Sequence, residues 1–416
     1  MMPLVLDLSR LLWRAGRAAP GGIDRLELAM ALHLLEREPT ARFAFTDGGR
    51  IREIPRALAR RIANGAALRW AGHPDDAGWR RAGAYLGGRA DPFPPLRPRL
   101  GDRHIATIDL MRGIGAWARW RPGRLAGLSL DGTAYLNLSH RNLDDPRCLA
   151  LLPRAARVLC YLHDDIPLRS PAFAAPGAAE KFRHLLHGLP ALRARIVTNS
   201  AASRDSILGS AAQDGLVLPQ PAVVPLPVSA TFTQRNGPSP AARRYFLVPG
   251  LLTARKNLGL LAEACRHMPN APGFDIIFIG APGLDAAKVL GLLDHMPAGI
   301  RLLRAEGLSD HAMAQLMRAS VAVLAPSLVE GFDYPVHEAL AMGVPVIASD
   351  IPAHREYVAG FAELLDPRDA EGWSSALAAY LAGGERHAAG LAAALRFAPP
   401  AAAGLLDHLT ELARAT

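Results

Sequence analysis

The sequence predicts an α/β chain of two doubly wound domains, and three observations carry that prediction. Short apolar runs alternate with helical patterns in two separate series. A proline-rich run and a shift in composition divide the two series. With 416 residues, half of them hydrophobic and a fifth charged, the chain can bury two cores and is too apolar to stay disordered.

The elements follow in order. Leu4-Val-Leu-Asp-Leu8 is a short strand, and Ile23 to Leu35 sets Ile23, Leu26, Met30 and Leu34 at helical spacing. Val158 to Leu162 and Arg195 to Asn199 are further strands. The run Leu218 to Pro227, followed by the polar stretch Thr231 to Ala241, reads as an interdomain linker. The second series begins with strand Tyr245 to Val248, helix Asn257 to Met268, strand Phe274 to Ile279 and helix Asp285 to Leu293. Alternation continues to about Val358, and alanine-rich helices, Ala388 to Ala403 among them, complete the chain. Such an order builds mostly parallel sheets with helices on both faces. The domains expected are 1–235, 236–400, and a final helix over 401–416 packing back towards the first domain.

Charge is unevenly spread. Residues 1–235 carry 33 Lys+Arg against 20 Asp+Glu, a balance of +13, whereas 236–416 carry 14 against 18, a balance of −4, which together give the net +9. An anionic partner is expected there, with arginine-rich composition as an equal explanation. No nucleic-acid recognition motif accompanies the charge, so a phosphate-bearing lipid acceptor or an anionic membrane surface fits better. Arg103 to Arg124, with Trp117 and Trp120 among arginines, suits such a membrane interface, although buried tryptophans beside solvated arginines are the commoner arrangement. No run approaches the roughly 18 uncharged apolar residues of a spanning helix. Asp7 interrupts the first apolar run where a signal peptide would need none, and a cytoplasmic protein is expected. Cys148, Cys160 and Cys265 lack metal spacing and read as reduced thiols.

The densest motif is Glu330-Gly-Phe-Asp-Tyr-Pro-Val-His-Glu338, directly after the apolar run Val321 to Pro326 and before Gly343-Val-Pro345 and Ser349-Asp350. It reads as strand, loop, short helix, strand, with Pro335 in the first helical turn. A carboxylate and a helix N-terminus then meet beside the C-terminal edge of a strand, where open α/β sheets bind nucleotides and sugars. Arg255-Lys256-Asn257 occupies a loop after the second domain's first strand, with Asn257 as an N-cap candidate. Paired cations at a helix start suit a diphosphate: arginine forks two oxygens and lysine supplies a point charge.

This composite resembles the donor-binding signature of glycosyltransferase family 4. The resemblance implies the GT-B fold, two Rossmann-like domains facing each other across a cleft, and usually retention of anomeric configuration. It implies that Glu330 meets the donor sugar's hydroxyls and that amides of Gly331, Phe332, Asp333 and Tyr334 reach the sugar and β-phosphate. Glu338 would accept from both ribose hydroxyls, as a carboxylate can. Phe332, Tyr334 and His337 serve equally as packing residues. Arg255 and Lys256, after Gly250, would hold the donor phosphates and stabilise the departing nucleotide. His163, at a strand's C-terminal end in His163-Asp-Asp-Ile-Pro167, matches a family histidine that orients the donor or helps balance charge; Thr198-Asn-Ser200 also matches. Gly22, in Pro20-Gly21-Gly22 after the basic insert Arg10 to Arg17, matches a glycine-rich donor loop that is longer in the family. Asn137 and His140 are weaker acceptor-side candidates. Asp164-Asp165 lacks Asp-x-Asp spacing, so no metal and no cofactor are expected. The function implied is retaining transfer of a hexose, with a lean to mannose, from a nucleoside-diphosphate sugar to a hydroxyl of a glycan or lipid-linked glycan in bacterial surface polysaccharide assembly. A nucleotide-sugar epimerase on the same scaffold and a non-catalytic nucleotide-sugar-binding protein remain alternatives.

Overall fold

The computed structural model describes residues 2–96 and 125–415, apart from 18, 48, 74, 75, 90, 236–240, 269, 271, 284, 294 and 295. The Arg103 to Arg124 stretch, with Trp117 and Trp120, lies outside the described residues. The chain forms two compact units, each built on one sheet: Met1–Leu68, Ala106–Pro227 and Pro400–Thr416 make the first, Arg69–Ile105 and Val228–Pro399 the second. Both are Rossmann-like, as the GT-B class requires.

Seven strands make the first sheet: β1 (Leu4–Asp7), β2 (Arg42–Asp47), β3 (Arg50–Ile54), β4 (Ala134–Asn137), β5 (Arg157–Leu162), β6 (Arg195–Thr198) and β7 (Ala222–Val223). Their spatial order is β3-β2-β1-β4-β5-β6-β7, parallel throughout except for the β2–β3 hairpin. β1 and β4 are buried at every position and apolar except for their last residues, Asp7 and Asn137. The proline-rich run supplies more than a connection, since Ala222–Val223 pairs with β6 at the sheet edge. Pro221 and Pro225 flank that pair, a place where a missing N–H costs no ladder bond. The helices of this unit include α1 (Ser9–Arg14), α2 (Gly22–Arg37) and most of α3 (Arg56–Ala71).

The second sheet is wholly parallel: β8 (Tyr245–Pro249), β9 (Phe274–Ile279), β10 (Ile300–Ala305), β11 (Val323–Ala325), β12 (Val346–Ser349) and β13 (Glu363–Leu365), in the order β10-β9-β8-β11-β12-β13. Its strands alternate with the helices that a doubly wound sheet needs.

The units are interleaved in sequence, and a single boundary at 235 does not describe them. Residues 69–105 belong with the second unit. There α4 (Ala77–Leu86) packs on the helix Asp310–Ala319, and Tyr85 donates its hydroxyl to buried Asp275 at 2.5 Å. Arg243 and Arg301 hold the same carboxylate at 2.6 and 2.7 Å. The following chain then lies along β10, with Leu96 N–H on Leu302 and Arg304 N–H on Pro94. Nothing local in 69–105 signals this, because its partners lie some two hundred residues away. At the other end, the helix Ala402–Arg414 belongs with the first unit, packing on α2, β4 and β5. Arg414 closes it on Glu38 at 2.7 Å, and Asp407 meets His33 at 3.1 Å. No helix among the described residues is long and apolar enough to cross a membrane.

Candidate functional site

The candidate donor site grows from two loops of the second sheet. β8 runs to the loop carrying Arg255 and Lys256, and β11, its neighbour, runs to the loop carrying Glu330. The strand order turns about this pair, β9 and β10 lying to one side and β12 and β13 to the other, and such a reversal opens a crevice at the strands' C-terminal ends. The chain leaves β8 at Gly250 with φ +134°, and a Cβ there would lie 2.8 Å from Lys256 Cε. Glycine is therefore required by backbone conformation and by the lysine stem crossing over it. Ala254–Lys256 forms a single 3-10 turn, and Asn257 takes a left-handed conformation with φ 51°. The Asn257 side chain does not cap the next helix; it donates to the Pro367 carbonyl at 2.8 Å.

Lys256 is 6% exposed, and its ammonium lies 2.9 Å from Glu330 Oε1 and 3.1 Å from Asp333 Oδ1. Arg255 pairs with the same Glu330 oxygen and donates to the Val329 carbonyl at 2.9 Å. Two cations thus face two carboxylates. Burial pulls the Lys256 pKa down, but Asp333 and Glu330 outweigh it and the net shift is upward. Burial pushes Glu330 up, and the neighbouring Asp333 adds to that, yet Lys256 and Arg255 bring it below its usual value. Asp333 is lowered too, because Lys256 and His354 offset its burial. The sequence-based expectation gave Glu330 to sugar hydroxyls alone; here it also keeps both cations in place.

Asp333 faces inward. It starts the helix α5 (Tyr334–Ala341) at φ 61°, and its second oxygen lies 3.3 Å from His354 Nε2. His354 Nδ1 in turn contacts the Ser349 carbonyl at 2.7 Å. Phe332 stacks on His337 with centroids 3.8 Å apart and planes 8° off parallel, so both rings pack. Burial pushes the His337 pKa down to about 4. Tyr334 is buried at the helix start, as Gly331 and Phe332 are just before it, while Glu338 is 1% exposed one turn further in. Gly343, at φ 77°, ends the helix region as its sequence suggested.

In the first unit, His163 follows β5 and is buried, and its Nε2–H donates to the Leu138 carbonyl at 2.8 Å. Asn199 Nδ2 and Ser203 Oγ both donate to the His163 carbonyl, at 2.8 and 3.2 Å, which gives the Thr198-Asn-Ser200 motif its physical reason. Burial lowers the His163 pKa to about 4, so near pH 7 the ring is neutral and acts as a hydrogen-bonding group rather than a balancing charge. Asn137 is buried and donates to the Arg141 carbonyl, and His140 lies 5.7 Å from His163 between ring centroids. Asp165 is taken up by hydroxyls of Ser206 and Ser210, and Asp164 accepts the Ile166 amide. No three metal-ligating side chains stand together among the described residues.

Gly22 opens α2, as expected, but the Gly21 amide in front of it is already taken by Asp24 Oδ2 at 2.7 Å. The basic insert is itself helical, and Arg10 and Arg14 both turn onto Asp24. Sequence reasoning passed over Asp24, although an acid three residues after an N-cap is a readable capping signal. It also passed over His354, whose partner Asp333 is brought near only by the fold.

Residues 243–382 match the family profile described as "Glycosyl transferases group 1". This segment is a glycosyl transferases group 1 domain. The match spans β8 to β13 and includes Gly250, Arg255, Lys256, Glu330, Asp333, Glu338 and His354, but not Gly22. The chain is 26% identical over 220 residues to the serotype-specific mannosyltransferase WbdA of Escherichia coli, covering 49% of this chain and 27% of that protein. It is 40% identical over 62 residues to the O-antigen chain mannosyltransferase RfbU of Salmonella typhimurium, covering 15% of this chain and 18% of that protein. The chain thus spans about a quarter of WbdA's length. Among solved structures, Alr3699/HepE of Anabaena in complex with UDP aligns at TM-score 0.58 and 15% identity over 99% of both chains. A glycosyltransferase of Rickettsia africae aligns at TM-score 0.53 and 13% identity over 99% of this chain and 98% of that one. These structural likenesses concern the fold.

Proposed function

We propose that this chain is a retaining hexosyltransferase that moves mannose from a nucleoside-diphosphate sugar to a hydroxyl of a glycan or lipid-linked glycan. The observation that carries the reading is the Arg255–Lys256–Glu330–Asp333 cluster at the strand-order reversal of the group 1 domain. The mannosyltransferase names of the relatives support the sugar and a role in polysaccharide assembly.

In the reaction, the bond from C1 to the donor's phosphate oxygen breaks while the acceptor oxygen forms its bond to C1 on the same face. The departing phosphate takes the acceptor's proton. Arg255 and Lys256 stabilise the charge that grows on the diphosphate, in place of a metal ion. Glu330 keeps Lys256 protonated and turns its remaining acceptor capacity to sugar hydroxyls, and Glu338 takes the ribose diol.

Transfer assays with a panel of nucleoside-diphosphate sugars, read by the anomeric configuration of the product, test this. Arg255→Ala and Glu330→Gln are each expected to lower kcat/KM by roughly 10²-fold or more, the scale of a lost transition-state donor. An inverted product, or a rearranged free sugar formed without acceptor, would overturn the reading. Lys256→Ala is a poorer probe because it removes the buried ammonium that two buried carboxylates share, at about 3–5 kcal/mol of stability.

A further inference from the structure

We infer that the crevice between β1 and β4 of the first unit binds a phosphoryl group carried by the acceptor, gripped by Arg10, Arg14 and Arg141. The assignment to the acceptor rests on the transferase reading; the phosphate site rests on the first unit's own geometry. β1 has β2 and β3 on one side and β4 to β7 on the other, so the strand order turns between β1 and β4 and leaves a crevice at their C-terminal ends.

Both walls of that crevice are basic. α1 follows β1 at once and is fixed from below: Asp7 Oδ1 accepts the Ser9 amide at 2.7 Å and Glu27 Oε1 the Leu11 amide at 2.9 Å. Both carboxyls are buried. The insert is thus a built platform for Arg10 and Arg14. Their Nε atoms meet Asp24 at 2.6 and 3.4 Å, and their Nη2 atoms each lie 4.0 Å from where a Cβ would stand on Gly21. From the opposite wall, Arg141 lies over the Trp13 ring at 5.5 Å, within electrostatic reach of Arg10. Trp13 is itself part of α1, between the two arginines.

Arg10 and Arg14 share the one carboxylate of Asp24. Asp7, Glu27 and Asp144 act on Arg141 electrostatically, and Glu27, pushed up to about 8 by burial and by Asp7, is protonated at neutral pH. Burial, then Arg10 and Arg17, hold Arg14 below the usual guanidinium range, with Asp24 opposing. Arg10 also acts on His140 and His163. His140 sits in the left-handed region at φ 45°, and its buried Nδ1 has no hydrogen-bond partner among the described residues. A strained residue with an unsatisfied polar atom beside three guanidiniums calls for a functional explanation, and an anion supplies one. Phosphate suits it better than carboxylate: a tetrahedral dianion offers oxygens to guanidiniums from several directions, whereas a carboxylate offers two in one plane.

Calorimetry on the full chain, with excess nucleoside diphosphate to fill the second unit, tests the site without turnover. The probes are mannose 1-phosphate, glucose 1-phosphate and methyl mannoside. At least one hexose phosphate is expected to bind tenfold or more tightly than the methyl glycoside. Arg14→Gln and Arg141→Gln should each weaken that binding about tenfold, the scale of a lost charged hydrogen bond, with Arg14→Lys keeping part of it. Nucleoside diphosphate affinity, titrated separately, should stay within about twofold of the parent. Arg255→Ala should show the reverse pattern. Equal binding of phosphorylated and unphosphorylated sugars overturns the site, and a parallel loss of nucleoside diphosphate affinity assigns the arginines to the donor instead. Should Arg14→Gln unfold, exposed Arg141 decides the matter. A failed transfer assay leaves this readout untouched.

Discussion

Lys256 keeps its charge in surroundings that alone would remove it, and the cost is met by two acids rather than by water. A buried ammonium needs such partners, and breaking one pair leaves an uncompensated charge. Glu27 is the opposite case: burial and Asp7 push its pKa up to about 8, so the folded chain holds a proton that the unfolded chain releases above 4.5. The stability this brings is whole below pH 4.5 and is lost as pH rises through 8, by up to about 1.4 kcal/mol per pH unit. Glu27→Gln removes the titration while its amide oxygen can still accept the Leu11 N–H. Thermal melts between pH 6 and 9 should therefore fall less steeply for the variant; parallel curves would refute the buried neutral acid. At this scale the grouping of Arg255, Lys256 and Glu330 was legible, since charged residues at fixed loop positions leave a local trace. The inward turn of Asp333 was not, because His354 and Lys256 reach it only through tertiary structure.

The loops after β8 and β11 act as one element in two pieces, and Gly250 shows how closely they fit. Gly250→Ala would force a Cβ to 2.8 Å from the lysine stem at a φ that L-residues avoid. We expect it to fold with a loss of roughly 1–3 kcal/mol and with donor affinity reduced more than for a surface Gly→Ala change such as Gly404→Ala. A melt and a nucleotide titration check both, and unchanged donor affinity would mean that the lysine is not held over Gly250. Buried strands such as β8 and β9 were visible as apolar runs, interrupted in β9 only by Asp275. β7 was hidden because two residues between prolines carry no period. The β2–β3 hairpin went unread because Arg42, Arg50 and Arg52 break the apolar pattern of its strands.

Across the molecule, the interleaving of segments governs how the chain can be divided. Residues 228–399 expressed alone lack α4 and the strand-like stretch on β10, leaving Asp275 without Tyr85 and β10 with an open edge. We expect that fragment to be aggregated or molten, and residues 69–96 joined to it through a flexible linker to restore a cooperative melt. A well-folded 228–399 would contradict the dependence. The proline-rich run marks the crossing at Pro227–Val228, short of the expected 235, but the exchange was not readable, since no local pattern records a partner two hundred residues distant. The Ala402–Arg414 helix carries the same logic into biosynthesis. Until residue 414 has cleared the ribosome, the flank of the first sheet formed by β4 and β5 lacks its cover, so synthesis from the N-terminus cannot deliver a finished first half ahead of the second. The β4–β5 flank therefore stays uncovered while residues 228–399 are being made, an interval in which exposed apolar surface invites misassembly.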